Sequence, residues 1–379
     1  MTRKLPNPAY PAAREASSAI EAHFIGLAAR SQAPVPPRPD RAQIEQLLDV
    51  AFWASLRREE GRSPRISITH LSPEVAASPL LFERSLPFTP SVLTRLAPAV
   101  ERPGIHLGVW PRDGEPRIWG TTGAVPCHGF VVEVVEPGLL VVKYRRGSGP
   151  KKFGNVAVLT GHEVRIIDHD VGRGREYTPA MEALLDLDPE SHWSEAASVL
   201  VELGISMRDH GRGGALLVVP LGSTEWRESM VSPMQYAVAS PSVELARLME
   251  RQPVGGDDPR WRAEVQRAVA AVAGLTAVDG ATVIDDGFDV RAFGAKIGRR
   301  EGYGPVSEVL VSEPVVGRSR ALVHPTVLGG TRHLSAAQFA HDQRDSRALV
   351  ASQDGRFTVF AWSEKEGRVL AHRVEALLL

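Results

Sequence analysis

Apolar residues change their spacing near residue 65 and again near residue 195, and those two changes divide the chain. Between Asp40 and Phe52 the residues Ile44, Leu47, Leu48, Ala51 and Phe52 recur at helical intervals, and Asp40 stands where a capping side chain belongs. Ahead of that helix, residues 1–40 read as a tail with one helix over 13–29, ending in Pro34-Val35-Pro36-Pro37-Arg38-Pro39. A proline cluster of that kind favours an extended linker. From Arg65 the period becomes two, and Ile66 and Ile68 open a strand. Residues 105–110 and 117–120 then flank a turn over 111–116, residues 130–135 and 139–144 flank Glu136-Pro137-Gly138, and residues 156–160 and 164–167 flank Gly161-His162-Glu163. Three successive hairpins predict a mostly antiparallel β domain over residues 41–178, with Trp110 and Trp119 as a cross-strand pair.

Beyond residue 190 helical and strand periods alternate, which predicts a second domain of α/β grammar over residues 190–379. Ala196, Val199, Leu200 and Leu203 mark a helix, and residues 215–219 a buried strand. Ser240-Pro241 is a helix start with Val243, Leu245 and Leu248 as its apolar positions, and Val265, Val269 and Val272 line a helix over 261–273. Strands at 282–284 and 288–295 meet at Asp285-Asp286-Gly287. A helix over 332–343, a strand over 348–352, a turn at Gln353-Asp354-Gly355 and a strand over 357–362 complete the pattern. The expected fold class is α+β or α/β: a mostly antiparallel N-terminal β domain, then a mixed sheet flanked by helices.

Composition narrows the partners. With 379 residues, 43% of them hydrophobic and 23% charged, the chain has the make-up of a globular protein with room for two domains. A net charge of −1 gives bulk nucleic acid and anionic membrane surfaces no support. Lys143, Arg145, Arg146, Lys151 and Lys152 read as a solvated hairpin end. The single cysteine, Cys127, excludes an internal disulfide framework and a Cys-rich zinc site. Asp168-His169-Asp170 and His162 lack metal-ligand spacing. Residues 1–10 have no apolar core of the signal-peptide kind, and the greasy run 129–144 is broken by Glu133, Glu136 and Pro137. A cytoplasmic protein without membrane attachment is the expectation.

The candidate chemistry lies late in the chain. Gly329-Gly330-Thr331 precedes the helix expected at Arg332, so free backbone N–H groups and the positive end of the helix dipole would converge there. The dipole contributes only about 0.3–1 kcal/mol, so Arg332 and the Thr331 hydroxyl would supply much of the grip on an anion. The plainer alternative makes Thr331 a cap and Arg332 a solvated side chain. Asp279-Gly280-Ala281 likewise reads either as a turn or as a break that lets backbone approach a ligand. An Asp beside a triphosphate requires a bridging Mg²⁺ or Mn²⁺, so on the second reading Asp279 is the metal residue. Arg212-Gly213-Gly214 precedes a strand and carries no Lys-Ser/Thr, which excludes a Walker-type loop.

Taken in order, Gly214-Ala215-Leu216-Leu217-Val218-Val219, Asp279-Gly280-Ala281, Gly330-Thr331-Arg332-His333-Leu334-Ser335-Ala336 and Ser352-Gln353-Asp354-Gly355 resemble the diadenylate cyclase fold. That fold is the N-terminal catalytic domain of DNA-integrity scanning proteins and their membrane-bound relatives. The family's elements run G-A-L-I-V-I, D-G-A, G-T-R-H-R-A-A and an acidic strand-turn. The likeness covers residues 195–373, and the group it most resembles is named DACNV, described as a probable sensor domain. The resemblance implies that Asp279 holds the metal and is catalytic in an active enzyme, and that Gly280 and Ala281 leave room for ribose and base. It implies that Gly330, Thr331, Arg332 and His333 clamp phosphates with Ser352 nearby. Two ATP-loaded copies would face one another, as a homodimer or within a higher homo-oligomer.

Two departures weigh on activity. Leu334 replaces the second Arg of R-H-R, and Gln353 replaces an acidic residue. A site with nucleotide contacts but a thinned phosphate clamp suits binding better than turnover. The resulting expectation is a sensor of a nucleotide, cyclic nucleotide or nucleotide-derived ligand. The alternatives are an active diadenylate cyclase making cyclic di-AMP from two ATP with a divalent metal, and an interaction module on a degenerate cyclase scaffold.

Overall fold

A computed structural model describes residues 9–31, 34–102, 104–146, 153–168, 195–239, 244–251 and 258–379. It divides into two units, residues 1–167 with Leu379 and residues 168–378. Each contains a mixed sheet with helices, an α+β architecture. Among the described residues no helix is long and apolar enough to cross a membrane.

In the first unit α1 (Pro11–Arg30) and α2 (Arg41–Ser55) precede β1 (Ile66–His70), β2 (Leu80–Pro87), α3 (Pro90–Val100), β3 (His106–Arg112) and β4 (Glu115–Thr122). Then come β5 (Phe130–Glu136), β6 (Leu139–Arg145), β7 (Phe153–Thr160) and β8 (Glu163–Ile166). The sheet order is β2-β4-β3-β1-β5-β6-β7-β8. Only the β1/β3 pair is parallel, because β2 and α3 intervene as a crossover between them. The helix expected over 13–29 forms as α1 and packs into the core of the first unit. Ala12, Ala13, Ala16, Ile20 and Phe24 fall on one face of α1 and are buried in the same core as Ile44, Leu48 and Ala51 of α2. Asp40 caps α2 as expected, in a full capping box with Gln43.

The expected hairpins form, with two corrections. The turn of β3/β4 is only Asp113-Gly114, both at positive φ, and Pro111 pairs directly with Pro116. A register shift between Gly108 and Val109 separates the two tryptophans, so they are not a cross-strand pair. Trp119 lies over Gly108, where an added Cβ would stand 2.0 Å from its ring, and its Nε1 donates to Leu71 O at 2.7 Å. Trp110 packs instead on the His70 ring, centroids 4.8 Å apart. Of the basic hairpin end, Lys143 donates to Glu133 at 2.6 Å and Arg145 to Val125 O at 2.5 Å, while Lys151, Lys152, His169 and Asp170 lie outside the described residues.

The second unit runs α4 (Glu195–Asp209), β9 (Gly214–Val219), β10 (Tyr236–Ala237), α5 (Glu244–Glu250), α6 (Pro259–Leu275), β11 (Ala281–Asp285) and β12 (Val290–Ala295). It continues with β13 (Val309–Ser312), β14 (Ala321–Val323), α7 (Thr331–Asp342), β15 (Arg347–Ala351), β16 (Phe357–Ser363) and β17 (Arg368–Arg373). The proposed start of α5 at Ser240-Pro241, with Val243, falls outside the described residues. The sheet order is β10-β12-β11-β9-β15-β16-β17-β13-β14. Strand β9 is buried along its whole length, as its unbroken apolar sequence requires. Its Leu216 and Val218 join a core with Val199, Leu203, Val265 and Val269 of α4 and α6. Ala215, Leu217 and Val219 join a second core on the other face, with Ala336, Ala337, Phe339 and Ala340 of α7. Helices on both faces thus leave the ends of β9 as the places where loops and solvent meet.

Candidate functional site

Strand pairing brings three of the four sequence elements to one end of the second sheet. Gly214 of β9 stands opposite Ala351 of β15 in an antiparallel pair, and Ala215 stands beside Ala281 of β11 in a parallel pair. Residues Gly213, Asp279-Gly280 and Ser352-Gln353 therefore emerge from adjacent strands. The fourth element, the first turn of α7, joins them through Arg332: a Cβ built on Gly213 would lie 3.0 Å from its Nη1 and 3.4 Å from Gln353 Cγ. Gln353 Nε2 donates to Arg212 O at 3.3 Å, tying this turn to the one ahead of β9. Gly213 has φ of +67° and can bring its backbone under the guanidinium because it has no side chain.

Asp279 is the exposed acid of the cluster. Its side chain is 84% exposed and is bonded by Lys296 Nζ, a residue sequence reasoning did not single out. That hydrogen bond, then the Lys296 charge and more weakly the Arg332 charge, hold the carboxyl below the usual range, so it is ionised at neutral pH. Lys296 was legible in principle. The β11/β12 hairpin pairs Ala281 with Ala295, which sets the next residue of β12 beside the residues ahead of β11.

The other candidate residues occupy different kinds of place. Gly280 has φ of +115°, and its missing side chain is not open space: a Cβ there would lie 2.5 Å from Gly294 C. Ala281 is 2% exposed and faces the core shared with α7. Gly330 and Thr331 are exposed at the start of α7, where Gly330 is the N-cap and no side chain caps the first turn. Ser352 donates its hydroxyl to Asp354, which lowers the Asp354 carboxyl, so both groups are engaged within the β15/β16 turn. His333 points inward. It is 2% exposed, its ring covers Gly329 and meets Phe360 edge-on at 6.1 Å, and its Nε2 has no hydrogen-bond partner. Burial lowers its pKa, so it is neutral. Leu334 packs partly buried against the same core as Ala336.

The charged side chains of the site are thus the half-buried Arg332 of α7's uncapped first turn, the exposed Lys296–Asp279 pair, and the exposed Asp354–Arg356 pair of the β15/β16 turn. No group of three His, Cys, Asp or Glu stands together among the described residues. A Mg²⁺ or Mn²⁺ held by one carboxylate and by ligand phosphate oxygens remains compatible with Asp279, provided Lys296 gives up its bond.

Comparison with known families places a match elsewhere in the chain. Residues 33–123 match the model of a family described as "Probable sensor domain DACNV". That segment lies wholly in the first unit and spans α2 to β4. The sensor description therefore attaches to the first unit, whereas the likeness to diadenylate cyclases rests on motifs of the second. No curated protein matches the chain.

Proposed function

We propose that the chain is a two-part sensor whose second unit binds a nucleotide or nucleotide-derived ligand by its phosphates. The observation that carries this reading is the meeting of Arg332, Asp279 and Gly213, from three distant segments, at the uncapped start of α7. Arg332 and the free N–H groups of that turn meet a phosphate, with Lys296 as a second cation. Where the ligand is a triphosphate, Asp279 would hold a Mg²⁺ or Mn²⁺ that neutralises its phosphates, in place of its bond to Lys296. A cyclic dinucleotide, having two phosphates, suits two copies of the unit. Efficient turnover is disfavoured by the buried His333 and by Leu334, which leave the phosphates one cationic side chain on α7's first turn.

Calorimetry on the full chain with ATP, with and without Mg²⁺, and with cyclic di-AMP tests the reading. Arg332→Ala is expected to weaken binding about 10- to 100-fold, the worth of about 1.5–3 kcal/mol for a hydrogen bond to a charged group. Unchanged affinity would refute the placement. No heat and no thermal shift with any nucleotide would favour the interaction-module reading instead.

The exposed, ionised Asp279 keeps the cyclase reading alive, because an accessible carboxylate is what a metal-dependent transfer requires. ATP and Mn²⁺ incubated with the protein are expected to yield no cyclic di-AMP. Product that disappears in Asp279→Asn would establish the enzyme.

A further inference from the structure

The first unit holds a cavity of about 60 Å³ within the matched segment, formed where α2 faces β1 and the β3/β4 hairpin. Its walls are mostly apolar, with Leu47, Phe88 and the cross-strand prolines Pro111 and Pro116. The two-residue turn and the paired pyrrolidine rings make the hairpin wall stiff. Three polar side chains open onto it: Gln43 and Gln46 from α2, and His70 from the end of β1.

His70 is the informative one. It is 4% exposed, and its ring touches Trp110; no described residue is hydrogen-bonded to its nitrogens, which keep access to solvent through the cavity. Imidazole nitrogens that no protein group answers are answered by what occupies the cavity, water or a ligand. Burial pushes its pKa down to about 4 despite the opposing pull of Asp40, so the ring is neutral and offers one N–H donor and one acceptor. Gln43 is half spent, since its Oε1 accepts from Asp40 N in the capping box at 3.0 Å, leaving Nε2 as a donor. No charged side chain lines the cavity. The nearby Asp40 carboxylate disfavours an anion, and the apolar walls disfavour any ion.

We infer that this cavity is a ligand site of the sensor unit and takes a small uncharged molecule with a compact apolar body and one amide-like end. The carbonyl of such a group accepts from Gln43 or from the imidazole N–H, and its N–H donates to the free imidazole nitrogen. The volume is several times the roughly 10–15 Å³ that a single water needs, which leaves room for a body of a few heavy atoms. The inference draws on the sensor match of the first unit and is independent of the nucleotide site. ATP calorimetry can therefore fail without touching it.

Histidine imidazole resonances of the full chain, followed as isobutyramide is added, provide the test. The His70 signal, identified by its loss in His70→Gln, is expected to shift saturably with a millimolar dissociation constant. Isobutyrate, of nearly the same shape but charged, is expected to bind at least tenfold more weakly. In Gln46→Trp, where an exposed rim position gains a ring over the opening, the response is expected to disappear while the thermal transition is kept. If that variant does not fold, His70→Gln replaces it, with the amide's own line-broadening as the readout and its loss as the expected result. The inference is overturned if His70 does not respond and water alone fills the cavity, if isobutyrate binds as well as the amide, or if the blocked variant binds unchanged.

Discussion

Gly280→Ala is expected to destabilise the second unit by about 2–6 kcal/mol. Two independent effects add. Its φ of +115° lies where an L side chain is strained, worth about 1–3 kcal/mol. A Cβ there would also stand 2.5 Å from Gly294 C, 2.7 Å from Gly294 O and 2.9 Å from Ala295 N, all of them backbone. Backbone in a sheet cannot give way as a flexible side chain can, so overpacking adds a further cost of about 1–3 kcal/mol. Gly330→Ala, at the same site, is the matched control. Its φ is −77° and nothing lies within 4 Å of the new methyl, so the cost is that of a weaker N-cap, under about 1 kcal/mol. Urea unfolding of both variants reads the difference. Equal stabilities would mean that β12 does not approach Gly280 as closely as the structure places it.

The contrast explains what the sequence could and could not reveal about the site. A glycine in Asp279-Gly280-Ala281 reads as room for a ligand, but the room belongs to strand β12, and only the hairpin register could have said so. His333 reads as a phosphate ligand because it follows Arg332. A helix, however, turns successive residues about 100° apart, so a neighbour of an outward Arg is free to face the core, as His333 does. The order of the motifs was informative for another reason. Strand pairing in a mixed sheet aligns the ends of neighbouring strands, and Gly214, Ala281 and Ala351 are such ends.

Long periodic elements of the fold were legible and short or irregular ones were not. Strands β9, β15 and β16 and helices α2, α6 and α7 carry sustained patterns. Helix α3 was not among the expected elements: it is short and holds Pro98, although Pro90 sits at its first turn and Thr89 caps it. Strand β2 escaped because Leu80 and Leu81 are exposed on a sheet edge, so its apolar pattern has no buried face to follow. The His70 cavity takes its walls from three strands, a helix and Phe88 ahead of α3, and has no local sequence mark at all.

Acid is expected to destabilise both units. His106 in the first unit and His372 in the second are buried, each bonded through Nδ1 to a serine hydroxyl at 2.7 Å, Ser67 and Ser312 respectively. Burial pushes both down to about 4, and His70 in the first unit to about 4 as well. The unfolded chain protonates its histidines near pH 6.5, so between about pH 6.5 and 4 it binds more protons than the folded one. Stability is therefore full above pH 6.5, falls as pH drops through that window, and has no further loss from these groups below it. At pH 5 each histidine accounts for at most about 2 kcal/mol, at about 1.4 kcal/mol per pH unit. Two such groups act in the first unit, and in the second His333, also lowered by burial, adds to His372 in the same sense. Asp49, raised by burial, works in the opposite sense, but only nearer the carboxylate range. Urea unfolding at pH 7 and pH 5 isolates the histidine contribution when wild type is compared with His106→Asn, which keeps a polar partner for Ser67 but cannot protonate. The variant is expected to lose stability at pH 7 and to show a flatter pH dependence. Parallel curves for the two proteins would show that His106 is not held neutral by its burial.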